Sequence, residues 1–341
     1  MRSRSCHPDP ASSVPPTGDQ PEGPGAAVDC SSVSRRSRAY RHGILKRSET
    51  VRQSRRRWFV LLVVLIAGAI ALIVDSEVDA ADRGFSSTFG TRVVAYSVAS
   101  ELVGRRLDEV GIVPPGNERR PLLVLLHGRH DRTRHSSPIS TKSGPESMLS
   151  DALLSGLAQL GQRAPIVVLL NGGRHSWYHD GRSGRWASMI LDDAIPDAVR
   201  RFHARPDRIA IGGISMGGYG ALHLAALRPR EFCAVGGHSA ALYESYSASA
   251  PVAFDDAADF ARNDVFKAAR EGRFNRLPVW IDAGTRDAFH DAGAAFVSLL
   301  RARGAHVTYH VWPGAHTASY WEAHIAAYLR FYASALGRCH R

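Results

Sequence analysis

Short apolar runs alternate with helix-like segments in the chain after residue 90. Most runs are rich in Val, Ile and Leu, which is typical of strands buried on both faces of a parallel sheet. The first run, Thr91–Ser97, alternates like an antiparallel strand. The pattern predicts one α/β domain over residues 91–338 with a doubly wound, mainly parallel sheet. The other predicted strands are Leu122–Leu126, Ile166–Leu170, Ile209–Gly212, Cys233–Val235, Val279–Asp282 and His306–Trp312, and the predicted helices span about 147–160, 188–203, 216–228, 256–270, 291–303 and 319–336.

The first 57 residues carry no such pattern. They are rich in Pro, Ser, Gly and Arg, and they hold 12 Lys/Arg against 5 Asp/Glu, which is most of the net charge of +11. A segment of this composition cannot bury enough apolar surface to fold, so residues 1–57 are predicted to be a disordered basic cytoplasmic tail. The tail lacks interleaved aromatic residues, and we expect no nucleic-acid partner.

The run Trp58–Val74 contains no charged residue and lies between three arginines and Asp75. A helix of this length rises about 25 Å and can span a bilayer core with the help of snorkelling arginines. We interpret residues 58–74 as a transmembrane signal-anchor and residues 75–90 as a linker. The positive-inside rule then places the domain outside the cytosol. A signal peptide cleaved near Ala80 is the alternative, and it would give a secreted protein.

A candidate nucleophile stands at the end of the predicted strand Ile209–Gly212. Gly213, Ser215 and Gly217 fit G-x-S-x-G, in which small residues let the chain reverse sharply and leave the serine hydroxyl exposed. A serine hydroxyl needs a histidine to take its proton and a carboxylate to orient that histidine. In a strand-turn-helix site of this kind the order along the chain is serine, acid, histidine.

Asp287 and His316 have the expected order and positions for the acid and the base. Asp287 lies in the loop after the strand Val279–Asp282, and His316 lies between the last strand and the last helix. Asp282 and Asp291 are the weaker alternatives for the acid. The alternatives for the base are His310, His324 and His340.

An oxyanion hole needs two backbone N–H groups that point at one position. We expect one from Met216, at the N-terminus of the helix after Ser215, and the other from Arg129, in the loop after Leu122–Leu126. His127 in that loop is interpreted as a polar residue that closes the strand. A metal site is a further interpretation, made up of His127, His130, Asp131 and His135, but the spacing is loop-like and we expect no metal and no cofactor.

Several aromatic residues are candidates for substrate binding. Trp177, Tyr178 and Trp321 line an acyl or leaving-group pocket in one interpretation and belong to the core in the other. The long connection Ser239–Asp264 carries Tyr243, Tyr246 and Phe254, and it is predicted to be a cap or substrate-binding insertion. Cys233 and Cys339 either pair as a disulfide or remain free thiols.

These motifs together resemble the putative esterase family, which groups esterase-D-like enzymes, feruloyl esterases and mycolyltransferases. The resemblance covers roughly residues 120–336 and is carried by S-M-G-G at Ser215, Asn171-Gly172-Gly173, and G-x-H-x-x-x-x-W from Gly314 to Trp321. It implies an α/β-hydrolase fold and carboxylester chemistry with Ser215, Asp287 and His316 as a triad. The mycolyltransferases carry an acidic residue where His127 stands, which argues against transfer to trehalose.

The leading hypothesis is an extracytoplasmic serine hydrolase that cleaves carboxylic esters through an acyl-serine. The expected partners are a small-molecule, lipid or carbohydrate ester and the membrane, through residues 58–74. One alternative is an acyltransferase that moves the acyl group onto an envelope carbohydrate. The other is a non-catalytic envelope binding protein on a hydrolase fold.

Overall fold

The computed structural model describes residues 83–86, 89–129 and 144–339. The predicted tail over residues 1–57 and the predicted anchor over residues 58–74 lie outside these ranges. Within them, no helix is both long and apolar enough to cross a membrane.

The strands, in chain order, are β1 Arg83–Ser86, β2 Arg92–Ser100, β3 Arg105–Val113, β4 Leu122–Leu126, β5 Ile166–Leu170, β6 Asp180–Gly181, β7 Gly184–Arg185, β8 Ile209–Ile214, β9 Val235–His238, β10 Pro278–Gly284 and β11 His306–Trp312. A single nine-stranded sheet forms the centre of the described structure, in the order β1-β2-β3-β5-β4-β8-β9-β10-β11, and β6 pairs with β7 in a separate ribbon. The strands from β5 to β11 in this order are parallel, whereas β1, β2 and β3 are antiparallel to their neighbours. The sheet is therefore mainly parallel, as the alternation of strands and helices predicts.

The central strands consist of apolar residues because both faces of the sheet are covered by helices. All five residues of β4 and all five of β5 are buried. Successive side chains point to opposite faces, so Leu122 and Val124 pack into one core layer and Leu123 and Leu125 into the other. The helices are α1 Asp151–Leu160, α2 Ile195–Arg201, α3 Met216–Leu227, α4 Ala257–Asn263, α5 Val265–Arg270, α6 His290–Ala302 and α7 Ala318–Arg338.

The two faces are covered by different helices. Leu153 of α1 and Tyr332 of α7 belong to the same core layer as Leu123 and Leu125. Leu222 of α3 and Phe296 of α6 belong to the opposite layer. The crossovers thus leave the C-terminal ends of β4, β8 and β10 free to carry loops at one edge of the sheet, which is the edge where ligand sites of such sheets form.

The sequence pattern misses some elements. β3 was not predicted because Arg105, Arg106 and Asp108 interrupt its apolar residues, and β1 lies inside the predicted linker. The predicted helix 256–270 is two helices, since the Asp264 side chain accepts the Phe266 N–H and starts a new helix there. The predicted helix 188–203 begins earlier, with the α-helical residues Trp186–Ser188, and continues as the π-helical segment Met189–Ala194 before α2.

A disulfide joins Cys233 to Cys339, so the paired alternative is correct. The sequence predicted a strand that begins at Cys233, but β9 begins at Val235, so Cys233 lies just before the strand. Cys339 directly follows α7. The bond therefore fixes the end of the last helix to the start of a central strand and closes a sequence separation of 106 residues.

Candidate active site

Ser215 occupies a sharp turn between β8 and α3. Its backbone angles, φ 55° and ψ −117°, lie in a region that residues other than glycine rarely adopt. A Cβ on Gly213 would collide with the carbonyl of Gly217, and one on Gly217 would collide with the carbonyl of Leu126 at the end of β4. The two glycines of G-x-S-x-G are therefore required by backbone packing, and the turn presents the Ser215 hydroxyl above the sheet edge.

Three side chains form a continuous hydrogen-bonded series at this edge. His316 Nε2 lies 2.8 Å from Ser215 Oγ, and His316 Nδ1 lies 3.0 Å from Asp287 Oδ2. Asp287 follows β10 and His316 follows β11, so loops after three different strands supply the series. The structure thus brings together the three residues that the sequence order selected.

The Asp287 carboxylate is set up to orient the imidazole. Its side chain is fully buried, whereas 28% of the His316 side chain is exposed. Burial alone would raise the pKa of Asp287, but hydrogen bonds from His316 and from the Phe289 N–H lower that pKa below its ordinary value. Asp287 is therefore ionised at neutral pH and accepts the Nδ1–H, which leaves Nε2 free to accept a proton from Ser215.

The alternative acids have other partners. Asp282 is buried and accepts hydrogen bonds from His238, Trp280, Tyr320 and Tyr328. Asp291 is fully exposed at the start of α6.

The alternative bases also have other neighbours. His310 stacks on Trp312, and His324 of α7 stacks on the same Trp312 ring. His340 lies outside the described residues. His316 is therefore the histidine placed beside Ser215.

The two segments that carry the predicted oxyanion amides lie next to Ser215. Met216 is the first residue of α3, where the helix dipole favours negative charge. A Cβ on Gly128 would lie 3.4 Å from the Cβ of Ser215, so the loop that carries Arg129 packs against the serine. Both peptide segments thus border the space above Ser215.

His127 has a more defined environment than a residue that simply closes a strand. Its side chain is buried, its Nδ1 lies 2.7 Å from the Gly128 carbonyl oxygen, and its Nε2 accepts the Gly172 N–H at 3.2 Å. His130, Asp131 and His135 lie outside the described residues. Within the described ranges, no group of three or more His, Cys, Asp or Glu residues has the arrangement of a metal site.

The structure divides the predicted substrate-binding aromatic residues. Trp177 is 2% exposed and Tyr178 is 0% exposed, so both belong to the core, which was the second of the two interpretations. The Tyr178 hydroxyl donates to the His127 carbonyl. Trp321 is half-buried and meets the His316 ring edge to face, with 5.1 Å between ring centroids. Trp321 therefore borders the site, and its contact with substrate stays a prediction.

Sequence reasoning missed one aromatic residue beside the histidine. The Phe289 ring lies 5.3 Å from that of His316, and Tyr243 from the long connection packs 5.7 Å from Phe289. Of the other aromatic residues in this connection, Phe254 is buried and Tyr246 is exposed. The sequence did offer a signal for this residue, because Phe289 comes only two residues after the predicted acid. In the structure its N–H donates a hydrogen bond to Asp287.

Solved structures share this fold. A ferulic acid esterase superimposes with a TM-score of 0.61 at 22% sequence identity, and the alignment covers 72% of this chain and 98% of that one. FphF, a fluorophosphonate-binding serine hydrolase of Staphylococcus aureus, superimposes with a TM-score of 0.56 at 18% identity, covering 71% and 98%.

Sequence comparison gives the family. Esterase Rv1288 of Mycobacterium tuberculosis is 28% identical over 127 residues, which are 35% of this chain and only 25% of that protein. The profile described as "Putative esterase" matches residues 109–332, a range that includes Ser215, Asp287 and His316. The chain therefore belongs to the putative esterase family.

Proposed function

We propose that the chain is a serine esterase that cleaves carboxylic esters through an acyl-Ser215 intermediate, with its catalytic domain outside the cytosol. The observation that carries this proposal is the hydrogen-bonded series from Ser215 through His316 to Asp287. The sharp turn at Ser215 supports the same role, because backbone strain is often found at active sites and because Ser215 is only partly buried there.

Acylation follows from the proton positions in the series. Ser215 Oγ attacks the ester carbonyl carbon and gives its proton to His316 Nε2. Asp287, ionised and fully buried, stabilises the imidazolium that forms. The negative oxygen of the tetrahedral intermediate is held by the Met216 and Arg129 N–H groups, and the alcohol leaves with the proton from His316.

Deacylation repeats these steps with water. His316 takes a proton from a water molecule, the hydroxide attacks the acyl carbon, and the second tetrahedral intermediate collapses to the carboxylic acid. Ser215 Oγ recovers its proton from His316. Trp321 and Phe289, whose rings border His316, are the side chains placed to contact the acyl or alcohol group.

The location outside the cytosol rests on two independent features. The uncharged run Trp58–Val74 follows a basic segment, which favours an anchor with its carboxyl side outside the cytosol. The Cys233–Cys339 disulfide is of a kind that persists in oxidising compartments.

Hydrolysis of a chain-length series of nitrophenyl esters by the full chain in detergent tests the activity. We expect turnover that depends on chain length, and loss of that turnover in Ser215→Ala. Equal rates for both proteins would contradict the proposal. The product formed in the presence of a sugar acceptor distinguishes hydrolysis from transfer, since an acylated sugar in place of the free acid would identify an acyltransferase.

A further inference from the structure

His127 holds the loop beside Ser215 from one particular side. In the sheet, β4 lies between β5 and β8. Gly172 follows β5 and Ser215 follows β8, so the two lie on opposite sides of the end of β4. Because His127 Nε2 accepts the Gly172 N–H, the imidazole lies on the β5 side, away from the serine.

The same hydrogen bond determines the tautomer of the His127 ring, that is, which of its two nitrogens carries the proton. A nitrogen that accepts an N–H carries no proton itself, so the neutral His127 ring has its proton on Nδ1. Nδ1 lies 2.7 Å from the Gly128 carbonyl oxygen and donates to it. The Gly128 carbonyl is therefore directed toward the imidazole.

The orientation of the next N–H follows from peptide geometry. In a planar trans peptide the C=O and the following N–H point in opposite directions. The Gly128 carbonyl and the Arg129 N–H belong to one peptide, so the Arg129 N–H points to the β8 side. Gly128 already packs against Ser215 on that side.

A second side chain holds the preceding peptide. The Tyr178 hydroxyl donates to the His127 carbonyl at 3.0 Å. The Tyr178 ring reaches this position only because Gly172 and Gly220 have no side chains, since a Cβ on either would collide with it. Two successive carbonyls of the loop are thus held by buried side chains.

We infer that His127 is a positioning residue that sets the Gly128–Arg129 peptide so that the Arg129 N–H faces the oxyanion, with Tyr178 holding the peptide before it. The inference rests on the proposed function and adds to it the residues that determine the oxyanion hole. Asn171-Gly172 also gains a role, because the Gly172 N–H selects the tautomer of His127.

Paired substitutions at one position test the inference. His127→Leu removes the donor to the Gly128 carbonyl with little change in volume, whereas His127→Asn keeps an amide N–H close to the place of Nδ1. We expect His127→Leu to lose about 100-fold in kcat, as for removal of one oxyanion donor, with KM close to wild type. His127→Asn should recover most of that loss, and Tyr178→Phe should show a smaller loss of the same kind.

A comparison of an aryl ester with its thionoester distinguishes positioning from general damage. Sulfur is a weak hydrogen-bond acceptor, so the oxyanion hole contributes less to thionoester cleavage. The ratio of ester to thionoester rates should fall in His127→Leu and stay at the wild-type value in Leu154→Ala, a destabilising control in the core of α1.

The two proposals fail in different ways. An unchanged rate ratio in His127→Leu, or the same ratio in His127→Leu and Leu154→Ala, would overturn the positioning role, and Ser215→Ala would still test the esterase. If His127→Leu does not fold, Tyr178→Phe decides, since its ratio should lie below the wild-type value and an unchanged ratio would overturn the positioning role. A wild-type protein that cleaves neither substrate would overturn both proposals.

Discussion

Two aspartate–histidine pairs differ in their environments: Asp282 and His238 belong to the neighbouring strands β10 and β9, whereas Asp287 and His316 lie in the loops after β10 and β11. Asp287 and His316 meet at the sheet edge beside Ser215, and the histidine side chain is 28% exposed. Asp282 and His238, 2.8 Å apart, lie inside the protein with side chains at most 2% exposed. The distance between the carboxylate and the imidazole is similar, so that distance alone does not identify a catalytic pair.

The third partner explains the difference. His316 Nε2 faces the Ser215 hydroxyl in a turn open to substrate, whereas His238 Nε2 faces the buried Tyr332 hydroxyl. Burial raises the pKa of Tyr332 far above its usual value, so this hydroxyl keeps its proton. The inner pair joins β9, β10 and α7, and we assign it to stability and the outer pair to chemistry.

Asp287→Asn should give the largest effect on rate. An amide in place of the carboxylate favours the wrong histidine tautomer, and kcat should fall about 10⁴-fold. Steady-state kinetics on a nitrophenyl ester measure this. Thermal unfolding should show that the variant is still folded at the assay temperature, and a fall in kcat of less than tenfold would contradict the assignment of the outer pair.

Asp282→Asn should reverse the pattern. The Asp282 carboxylate accepts four hydrogen bonds, and an amide can accept only on its single oxygen while its NH₂ faces donors. The free energy of unfolding should fall by about 3–5 kcal/mol, as for a broken buried pair. Denaturant unfolding measures the change. A variant of full stability that has lost kcat would assign the inner pair to the chemistry.

The dependence of stability on pH sharpens the role of Asp287. Its pKa is lower in the folded protein than its ordinary value near 3.9, because His316 and the Phe289 N–H outweigh the effect of burial. The resulting stabilisation is fully present above the ordinary Asp range and is lost as pH falls through the lowered pKa. Urea unfolding between pH 6 and pH 2 should show a wild-type advantage over Asp287→Asn that shrinks with acidification, and a growing advantage would contradict it.

Trp321→Ala should have the smallest effect. The Trp321 ring borders His316 but makes no hydrogen bond to the triad. Its loss should therefore leave the triad in place and remove about 0.5–1.5 kcal/mol of aromatic contact with the ring of an aryl ester. We expect a higher KM for aryl esters with kcat nearly unchanged. Tyr246→Ala, a change at an exposed ring, is the matched control. Equal KM values for the two variants would exclude Trp321 from substrate binding.

The sequence predicted the three residues of the proposed triad better than their surroundings. Ser215, Asp287 and His316 each follow a predicted strand. Because those strands are parallel, their C-terminal ends meet at one edge of the sheet. The strands β4 and β5 have the predicted bounds because continuous apolar runs admit few alternatives. The strand β11 also has its predicted bounds, although polar residues alternate with apolar ones along it. The local sequence is therefore sufficient to predict the place of a residue when the sheet topology alone determines that place.

Side-chain environments could not be predicted in the same way. The burial of Tyr178 depends on the nearby Gly172 and on Gly220, which is distant in sequence, and the two glycines make space for its ring only in the folded chain. The role of His127 depends on a backbone N–H from the neighbouring strand end. The strand β3 was missed because its charged residues pair with parts of the chain that no local pattern reveals, as Glu109 does with the Asn171 N–H.

Fluorophosphonate labelling followed by peptide mass spectrometry tests the central claim most directly. Ser239, buried close to the site with a positive φ like that of Ser215, is the informative competitor. We predict one adduct per chain on Ser215 in the full-length protein, and no adduct in Ser215→Ala or in wild type denatured beforehand. An adduct on Ser239, or equal labelling of Ser215→Ala, would contradict the assignment of Ser215 as the nucleophile.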